Sequence, residues 1–283
     1  MKRTPFISIL FLLSVILACS PSGNDEAPSE YVIEGWIESD GHPIVKLTYS
    51  IPVTEEYRPL EDLKQYMARW ERITISDGEQ TATLTGVMDS RFMPPYVYTT
   101  SKIRGKAGRT YRLTLHQEGG KADIEAVTTV PEPARIDSFH VERVSSSDTL
   151  CQLFAYINIP KTPVTYYKVF VKTDSLSQDF LSSYLGLLRS DMIPDDGKIA
   201  IHRGYSNLEK EFTPYFAVGD TVLVRFARID STAYEYWRSF DDIIMLSRNT
   251  LFPVTTSMPR SIPGAYGFWQ GMGSRYYMVP IRP

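Results

Sequence analysis

The heptapeptide TYRLTLH at residues 110–116 is the clearest indicator of the fold. Tyr111, Leu113 and Leu115 alternate with polar residues, and this period of two is typical of a strand with one buried face. The same alternation recurs on both sides of it, in short stretches separated by turn signals such as the Asp-Gly pair at 77–78. Further strands are predicted at residues 31–38, 44–49, 72–76, 81–85, 96–100 and 123–129. About seven short strands in a hundred residues predict a β-sandwich.

The alternation stops at the proline-containing stretch VPEP, residues 130–133. Proline lacks the N–H that a strand donates to its neighbour, so strands end where it occurs. We therefore predict an amino-terminal β-sandwich domain over residues 31–133 and a second β-rich domain over residues 134–283. Within the second domain, Cys151 shares a strand face with apolar residues, which indicates a small buried side chain. Predicted strands of this domain lie at residues 136–144, 150–159, 167–171 and 221–229, with β character again over 263–283.

Apolar residues at helical spacing predict one or two helices in the second domain, near residues 177–190 and 231–247. The first stripe consists of Phe180, Leu181, Tyr184, Leu187 and Leu188. The second stripe consists of Tyr236, Phe240, Ile243 and Ile244. Thr232 and Glu235 have the spacing of a capping box at the start of the second helix. A short helical insert is also expected near residues 59–69. The predicted fold class is mainly β, a sandwich followed by a β-rich domain with one or two helices.

The amino terminus is typical of a bacterial lipoprotein signal peptide. Lys2 and Arg3 precede an apolar run at residues 6–17. This run is too short for a spanning helix of about 20 residues, but it fits the apolar region of a signal peptide. Residues 16–19, ILAC, then resemble a lipobox. We predict a signal peptide over residues 1–18 and lipid attachment, through acyl chains such as palmitate, at Cys19. The alternative is an ordinary signal peptide with an incidental cysteine.

Residues 19–30 form the expected tether between lipid and folded domain. The sequence after Cys19, SPSGNDEAPSE, is small, polar and proline-containing, so it cannot pack and is expected to be flexible. The acidic group at 24–26 resembles a surface-export signal of Bacteroides-type lipoproteins, although acidic residues are also common in solvated linkers. A lipidated Cys19 predicts that the folded chain is anchored to a membrane, with the periplasmic and cell-surface faces as alternatives.

Charge and histidine placement exclude several classes of partner. The chain has 30 Lys plus Arg against 33 Asp plus Glu, a formal net charge of -3. No basic footprint for nucleic acid follows from such a balance, so no nucleic-acid partner is expected. The histidines, His42, His116, His140 and His202, are far apart and lack the spacing of metal ligands. Neither a metal site nor a cofactor is therefore expected.

Known catalytic signatures are missing from the sequence. It contains no nucleophile elbow, P-loop or dinucleotide fingerprint, and the glycines of 267–273 lack the strand and helix that a phosphate loop needs. Residues 195–197, DDG, resemble the start of a calcium loop, but Ile199 and Ile201 occupy positions where oxygen ligands are needed, so a turn is predicted. We therefore expect a non-enzymatic protein. Carboxylates distant in sequence can still pair in a fold, which keeps a hydrolase open.

An aromatic cluster near the carboxyl end is the best candidate for binding. Aromatic faces stack on sugars and on other flat, apolar ligands. The alternative is that these side chains are simply part of the sandwich core. The candidate residues are Tyr266, Phe268, Trp269, Tyr276 and Tyr277.

The order of several short motifs resembles a known family. The motifs are YVIEGWI at 31–37, ITISD at 73–77, GKAGRTYRL at 105–113, VPEPARIDS at 130–138, YY at 166–167, YEYW at 234–237 and GAYGF at 264–268. Together they resemble lipoproteins of Bacteroides-type (Bacteroidota) bacteria grouped as domain of unknown function 4249. The resemblance implies an amino-terminal immunoglobulin-like or transthyretin-like sandwich and an outer-membrane lipoprotein, often encoded near a TonB-dependent transporter. It implies no catalytic residue. The helical insert at 59–69 and the Phe268-Trp269 pair depart from the family pattern.

These observations lead to one expected function and two alternatives. The expected function is a lipid-anchored outer-membrane or cell-surface accessory protein that captures a ligand or is a partner of a TonB-dependent nutrient transporter. Its expected partners are the membrane, through the lipid on Cys19, and the transporter. The alternatives are a surface-anchored hydrolase of glycans or peptides, and a structural or adhesive surface protein.

Overall fold

A computed structural model describes residues 30–50, 62–173, 180–204, 212–247 and 260–283. Within these residues the chain is mainly β, as predicted, and helix α1 spans Ser231–Ser247. Short 3-10 helices lie at Asp62–Tyr66 and Ser190–Met192. The strands are β1 (Tyr31–Glu38), β2 (Ile44–Tyr49), β3 (Arg72–Ser76), β4 (Thr81–Thr83), β5 (Thr85–Met88), β6 (Tyr96–Thr99), β7 (Thr110–His116), β8 (Ile124–Thr129), β9 (Ser138–Arg143), β10 (Leu150–Tyr156), β11 (Tyr166–Thr173), β12 (Leu181–Arg189), β13 (Lys198–Ile201), β14 (Phe216–Ala217), β15 (Thr221–Ile229) and β16 (Tyr266–Pro280).

An eight-stranded sheet, here called the shared sheet, runs through both halves of the sequence. Its strand order is β12-β11-β15-β16-β1-β2-β6-β5. The last strand, β16, lies at its centre, parallel to β1 and antiparallel to β15. The two halves predicted to meet at residues 133 and 134 are therefore hydrogen-bonded into one sheet by the carboxyl-terminal strand.

Two smaller sheets cover one face of the shared sheet. The sheet β4-β3-β7-β8 packs on the strands of the first half, and the sheet of β13, β10, β14 and β9 packs on those of the second. Alternating residues of β7, Tyr111, Leu113 and Leu115, lie in the first core as the 110–116 stretch predicts. Cys151 is fully buried in the second core, which confirms its predicted role. A sandwich thus forms in each half.

Helix α1 covers the opposite face of the shared sheet. It begins after Asp230, whose Oδ1 accepts a hydrogen bond of 2.7 Å from the backbone N–H of Ala233. The helix is confirmed, but its cap is Asp230, and Thr232 lies inside the first turn. Tyr234 and neighbouring side chains pack on Phe170 and Met272 of the sheet in a third, smaller core.

Glycines on β16 let the two layers approach closely. A Cβ on Gly271 would lie 2.5 Å from the carbonyl oxygen of Thr129, and one on Gly273 would lie 2.4 Å from that of Pro131. The stretch 129–132 that links the halves therefore crosses directly over β16. These glycines therefore allow close backbone contact between β16 and residues 129–132, and they do not form a phosphate-binding loop.

The prediction of a helix near residues 177–190 is wrong for the residues that the structure describes there, because Leu181–Arg189 form strand β12. The register of β12 against β11 shifts between Lys168 and Phe170, and Leu185 has a φ of 55°. Such a bulge breaks the alternation of faces, so apolar residues fall three and four apart as they would in a helix.

The leader, Cys19 and the tether up to residue 29 lie outside the described residues, as do residues 59–61 of the helical insert predicted near residues 59–69. From that insert the structure describes the 3-10 helix Asp62–Tyr66. Among the described helices, none is long and apolar enough to cross a bilayer.

Candidate functional site

A cavity of about 480 Å³ lies between helix α1 and the shared sheet. We call it the aromatic cavity, because aromatic side chains dominate its lining. Strands β1, β2, β11, β15 and β16 form its floor, α1 forms one wall, and residues 180–185 with Phe212 form the other. The floor residues are Glu34, Trp36, Lys46, Phe170, Arg225, Phe268, Gln270 and Met272. The helix contributes Tyr236, Trp237, Phe240 and Asp241.

Strand register places the floor residues on one face. In the parallel pairing of β1 and β16, Glu34 is opposite Phe268 and Trp36 is opposite Gln270. Because successive side chains of a strand point to opposite faces, alternate residues of both strands point into the cavity. The residues between them, such as Trp269, point into the sandwich core.

Ring-to-ring contacts join the helix to the floor. The ring centroids of Tyr236 and Phe268 are 4.7 Å apart, and those of Trp237 and Phe268 are 5.5 Å apart. Trp237 also meets Phe170 edge-on at 5.7 Å and Phe240 at 5.6 Å. Burial raises the pKa of Tyr236, so its phenol stays neutral throughout the ordinary pH range. The rings therefore form a continuous, uncharged wall.

An ion pair between a buried lysine and a partly exposed aspartate ties α1 to the sheet beside the cavity. Lys168 is fully buried, and its Nζ lies 2.9 Å from Oδ2 of Asp241 and 5.0 Å from the ring centroid of Trp237. Burial lowers the pKa of Lys168, while the Asp241 carboxylate opposes that shift. The helix is thus held by one specific charge contact in addition to its ring contacts.

A second pair, which is buried, lies at the junction of β1, β15 and β16. Nη1 of Arg225 donates a hydrogen bond of 2.7 Å to Oε1 of Glu38, and the hydroxyl of Tyr276 donates to the other oxygen of the same carboxylate. The Arg225 guanidinium carbon lies 4.1 Å from the ring centroid of Phe170 and 4.9 Å from that of Phe180. The cation is therefore neutralised by Glu38 and enclosed by aromatic faces.

The amide of Gln270 is the most enclosed polar group on the floor, with only 2% of the residue exposed. Its Oε1 accepts a hydrogen bond of 3.0 Å from the indole Nε1 of Trp237. Its Nε2 has the sulfur of Met272 as its acceptor, at 3.7 Å. Thioether sulfur is a weak acceptor, so the amide nitrogen of this lining residue keeps donor capacity.

The structure divides the predicted aromatic cluster between different environments. Phe268 lines the cavity. Trp269 is buried in the first core, where its Nε1 donates to the carbonyl of Tyr111 at 3.1 Å. Tyr276 lies beside the Arg225–Glu38 pair, near the cavity wall.

The other two predicted aromatics contact different partners. The hydroxyl of Tyr277 accepts a hydrogen bond of 2.8 Å from the backbone N–H of Ile136, at the edge of the second core. Tyr266 lies under the guanidinium of Arg260, at 4.0 Å from ring centroid to Cζ. The five residues alternate along a single strand, so they do not form one surface.

Sequence reasoning missed most of the cavity. Trp36 and Phe170 belong to strands that were predicted, but neither residue was a binding candidate. Tyr236 and Phe240 were placed on the apolar stripe of the helix, but nothing in the sequence showed what that stripe would cover. The available signal was on β1, where Glu34, Trp36 and Glu38 share the face opposite the apolar residues.

Metal-ligating side chains are not clustered in the described part of the chain. No group of three or more His, Cys, Asp or Glu residues there has the geometry to hold a metal ion. Nδ1 of His116 lies 2.8 Å from Oδ2 of Asp123, and His140 lies beside Glu142. Both pairs are accessible to solvent.

Fold and site together define a class of protein, one in which two β-sandwiches share a sheet that carries a helix-covered aromatic cavity. The particular family follows from comparison with known proteins. The chain belongs to the family described as a domain of unknown function (DUF4249), whose family model matches residues 20–264. No curated protein matches the chain. The family expected from the order of sequence motifs is thereby confirmed.

Proposed function

We propose that this protein is a lipid-anchored accessory protein of the outer membrane or cell surface, which captures a small ligand for a TonB-dependent nutrient transporter. The observation that carries the capture function is the aromatic cavity. Its volume of about 480 Å³ lies within the range of about 300–1,000 Å³ typical of small-molecule sites. Its lining also matches such sites, with an apolar majority and a few placed polar groups.

The anchoring part of the proposal is supported by the sequence. A charged, apolar and small-residue order precedes Cys19, and a polar tether of residues 19–30 leads to β1. Acyl chains contribute about 0.8 kcal/mol per buried CH₂, so a lipidated Cys19 would hold the folded domain at the membrane surface. Resemblance to Bacteroidota lipoproteins supports the outer membrane and a transporter partner.

Capture is tested by what the mature lipoprotein retains. The chain is purified in mild detergent from its native membranes, denatured, and the released small molecules are identified by mass spectrometry. We expect a stoichiometric compound from the wild type and its loss in Ser182→Trp, which fills the cavity from β12. Ser146→Trp, in an exposed loop, is the matched control and retains the compound. Retention in Ser182→Trp would contradict capture in this cavity.

Anchoring and partnership are tested together by a pull-down from native outer membranes. We expect a TonB-dependent transporter to co-purify with the wild type, and Cys19→Ala to shift the protein into the soluble fraction. Recovery without any such transporter would count against the accessory role. A radiolabelled fatty acid that still labels Cys19→Ala would contradict lipid attachment at Cys19. Glycan or peptide turnover that is abolished by Asp241→Asn would replace capture with hydrolysis.

A further inference from the structure

We infer that the aromatic cavity selects a net-neutral ring compound that carries a hydrogen-bond acceptor oxygen, and that Gln270 is the residue that recognises this oxygen. The inference rests on the proposed capture function and names the class of ligand. Two observations carry it: the pairing of charges around the cavity and the enclosed amide of Gln270.

Every charged residue among the described lining residues is already matched by an opposite charge. Lys46 pairs with Glu34 across β1 and β2. Arg225 pairs with Glu38 at 2.7 Å, and Asp241 with Lys168 at 2.9 Å. The described part of the lining therefore presents three internally neutral pairs and no surplus of either sign.

A charged ligand would gain little from such a lining. It would lose its hydration on entering an aromatic-walled space, and it would find a counter-ion only by breaking one of the three pairs. Breaking the Lys168 pair would leave a fully buried ammonium group without its carboxylate. A neutral ligand avoids both costs, so charge neutrality is the first selection rule.

Hydrogen bonding supplies the second rule. The indole N–H of Trp237 can only donate, so its contact with Gln270 fixes the amide with Oε1 toward the helix. The Nε2 group, with two N–H donors, is then directed along the floor, where the sulfur of Met272 is its weak acceptor at 3.7 Å. A ligand carbonyl or hydroxyl oxygen is a stronger acceptor for this donor.

Ring faces supply the third rule. Phe268 on the floor and Trp237 on the helix both line the cavity, with their ring centroids 5.5 Å apart and their planes tilted by 50°, and Trp237 is bonded to the Gln270 amide. Such surfaces favour a flat aromatic ring or the apolar face of a pyranose. An aromatic compound and a sugar can both provide the required chemistry, which is a neutral ring with an acceptor oxygen.

The test uses the mature chain and ligands matched in ring but not in charge. The aromatic set is N-acetyltryptophanamide, N-acetyltryptophan and tryptophanamide, which are neutral, anionic and cationic at pH 7. The sugar set is the methyl glycosides of glucose, glucuronic acid and glucosamine. Affinities are measured by calorimetry, and we expect the neutral member of whichever set binds to be at least tenfold tighter. A charged member that binds tightest would overturn the neutral rule.

Gln270 is tested by Gln270→Met, which keeps the side-chain length and removes both N–H donors together with the Oε1 that accepts from Trp237. We expect at least a tenfold loss of affinity for the neutral acceptor ligand, and no change for 3-methylindole, which has a ring but no acceptor oxygen. Gln152→Met is the matched control, because Gln152 bonds to backbone carbonyls of the second sandwich. Equal losses for both ligands would reduce Gln270 to a packing role and overturn its assignment.

The outcomes separate this inference from the proposed function. Binding that prefers a charged member contradicts the inference but leaves capture intact. Failure of every member to bind, together with no compound co-purifying from native membranes, contradicts both. Should Gln270→Met fail to fold, the charge preference of the wild type still decides the neutral rule.

Discussion

At the scale of single residues, the Lys168–Asp241 pair is asymmetric. Lys168 is fully buried, whereas a third of the Asp241 side chain is exposed at the cavity. Asp241→Asn leaves a buried ammonium without its partner and is expected to cost about 2–3 kcal/mol of unfolding free energy. Lys168→Met leaves a carboxylate that solvent can reach and is expected to cost less than about 1 kcal/mol. Urea denaturation at pH 7 measures both, and equal losses would contradict this account of the pair.

Asp77, in the first sandwich, is expected to make the stability of the fold depend on pH. Backbone N–H groups of Gln80 and Glu79 and the guanidinium of Arg109 hold the pKa of the Asp77 carboxyl below its usual value. The Asp77 carboxyl group therefore binds a proton more readily in the unfolded chain than in the folded one. For this reason the ionised carboxylate stabilises the fold above the unfolded pKa, about 3.9. That stability is lost as the pH falls through the lower, folded pKa.

Asp77→Asn is expected to lower the unfolding free energy at pH 7 by about 1 kcal/mol, because it keeps the acceptor oxygen but loses the charge. The difference from wild type should shrink as the pH falls below the unfolded pKa and should vanish below the lower, folded pKa. Urea midpoints at several pH values between 7 and 2.5 measure it, with Asp148→Asn in an exposed loop as the control. A difference independent of pH would show that the charge contributes nothing.

At the scale of elements, the contact of β16 with the 129–132 link decides how the layers fit. In Gly271→Ala the new Cβ would lie 2.5 Å from the oxygen and 2.7 Å from the carbon of the Thr129 carbonyl. Neither backbone can move without disturbing its sheet, so we expect a loss of about 2–3 kcal/mol. Gly119→Ala has open space around it and a φ of 71°, so strain alone should cost about 1 kcal/mol. Thermal unfolding of both variants gives the comparison, and equal costs would contradict close packing at Gly271.

Elements were predictable from the sequence where alternation was regular. The stretch 110–116 gave β7 with its correct face, because each apolar residue follows the last by two positions. Strand β12 was mistaken for a helix, because a bulge and the positive φ of Leu185 break that period. Local pattern therefore identifies an element only while its backbone stays regular.

The candidate site was less predictable for a different reason. Trp36 and Gln270 are neighbours because β1 and β16 pair in parallel, although more than two hundred positions separate them in the chain. No local period reports such a pairing, and the aromatic residues of β16 looked like one cluster until alternation placed Phe268 and Trp269 on opposite faces. The cavity is a product of sheet order, which one sequence does not show.

At the scale of the whole molecule, the position of β16 bears on whether the two halves, which meet at the predicted boundary at residue 133, unfold together or separately. The first core contains Ile262, Ala265 and Trp269 from the far end of the chain. A fragment of residues 30–133 lacks these side chains and exposes the edge of β1 that pairs with β16. We therefore expect it not to unfold cooperatively in urea, as followed by tryptophan fluorescence.

Joining residues 260–283 to that fragment through a flexible linker is expected to restore a cooperative transition, because the linked segment supplies both the missing core and the missing strand. The full chain should unfold in one transition, with fluorescence and far-UV circular dichroism giving the same midpoint. A fragment of residues 30–133 that unfolds by itself at the midpoint of the full chain would instead establish two separable domains. In that case β16 would add a contact between two independently folded domains, and the floor of the aromatic cavity would form only after each half had folded.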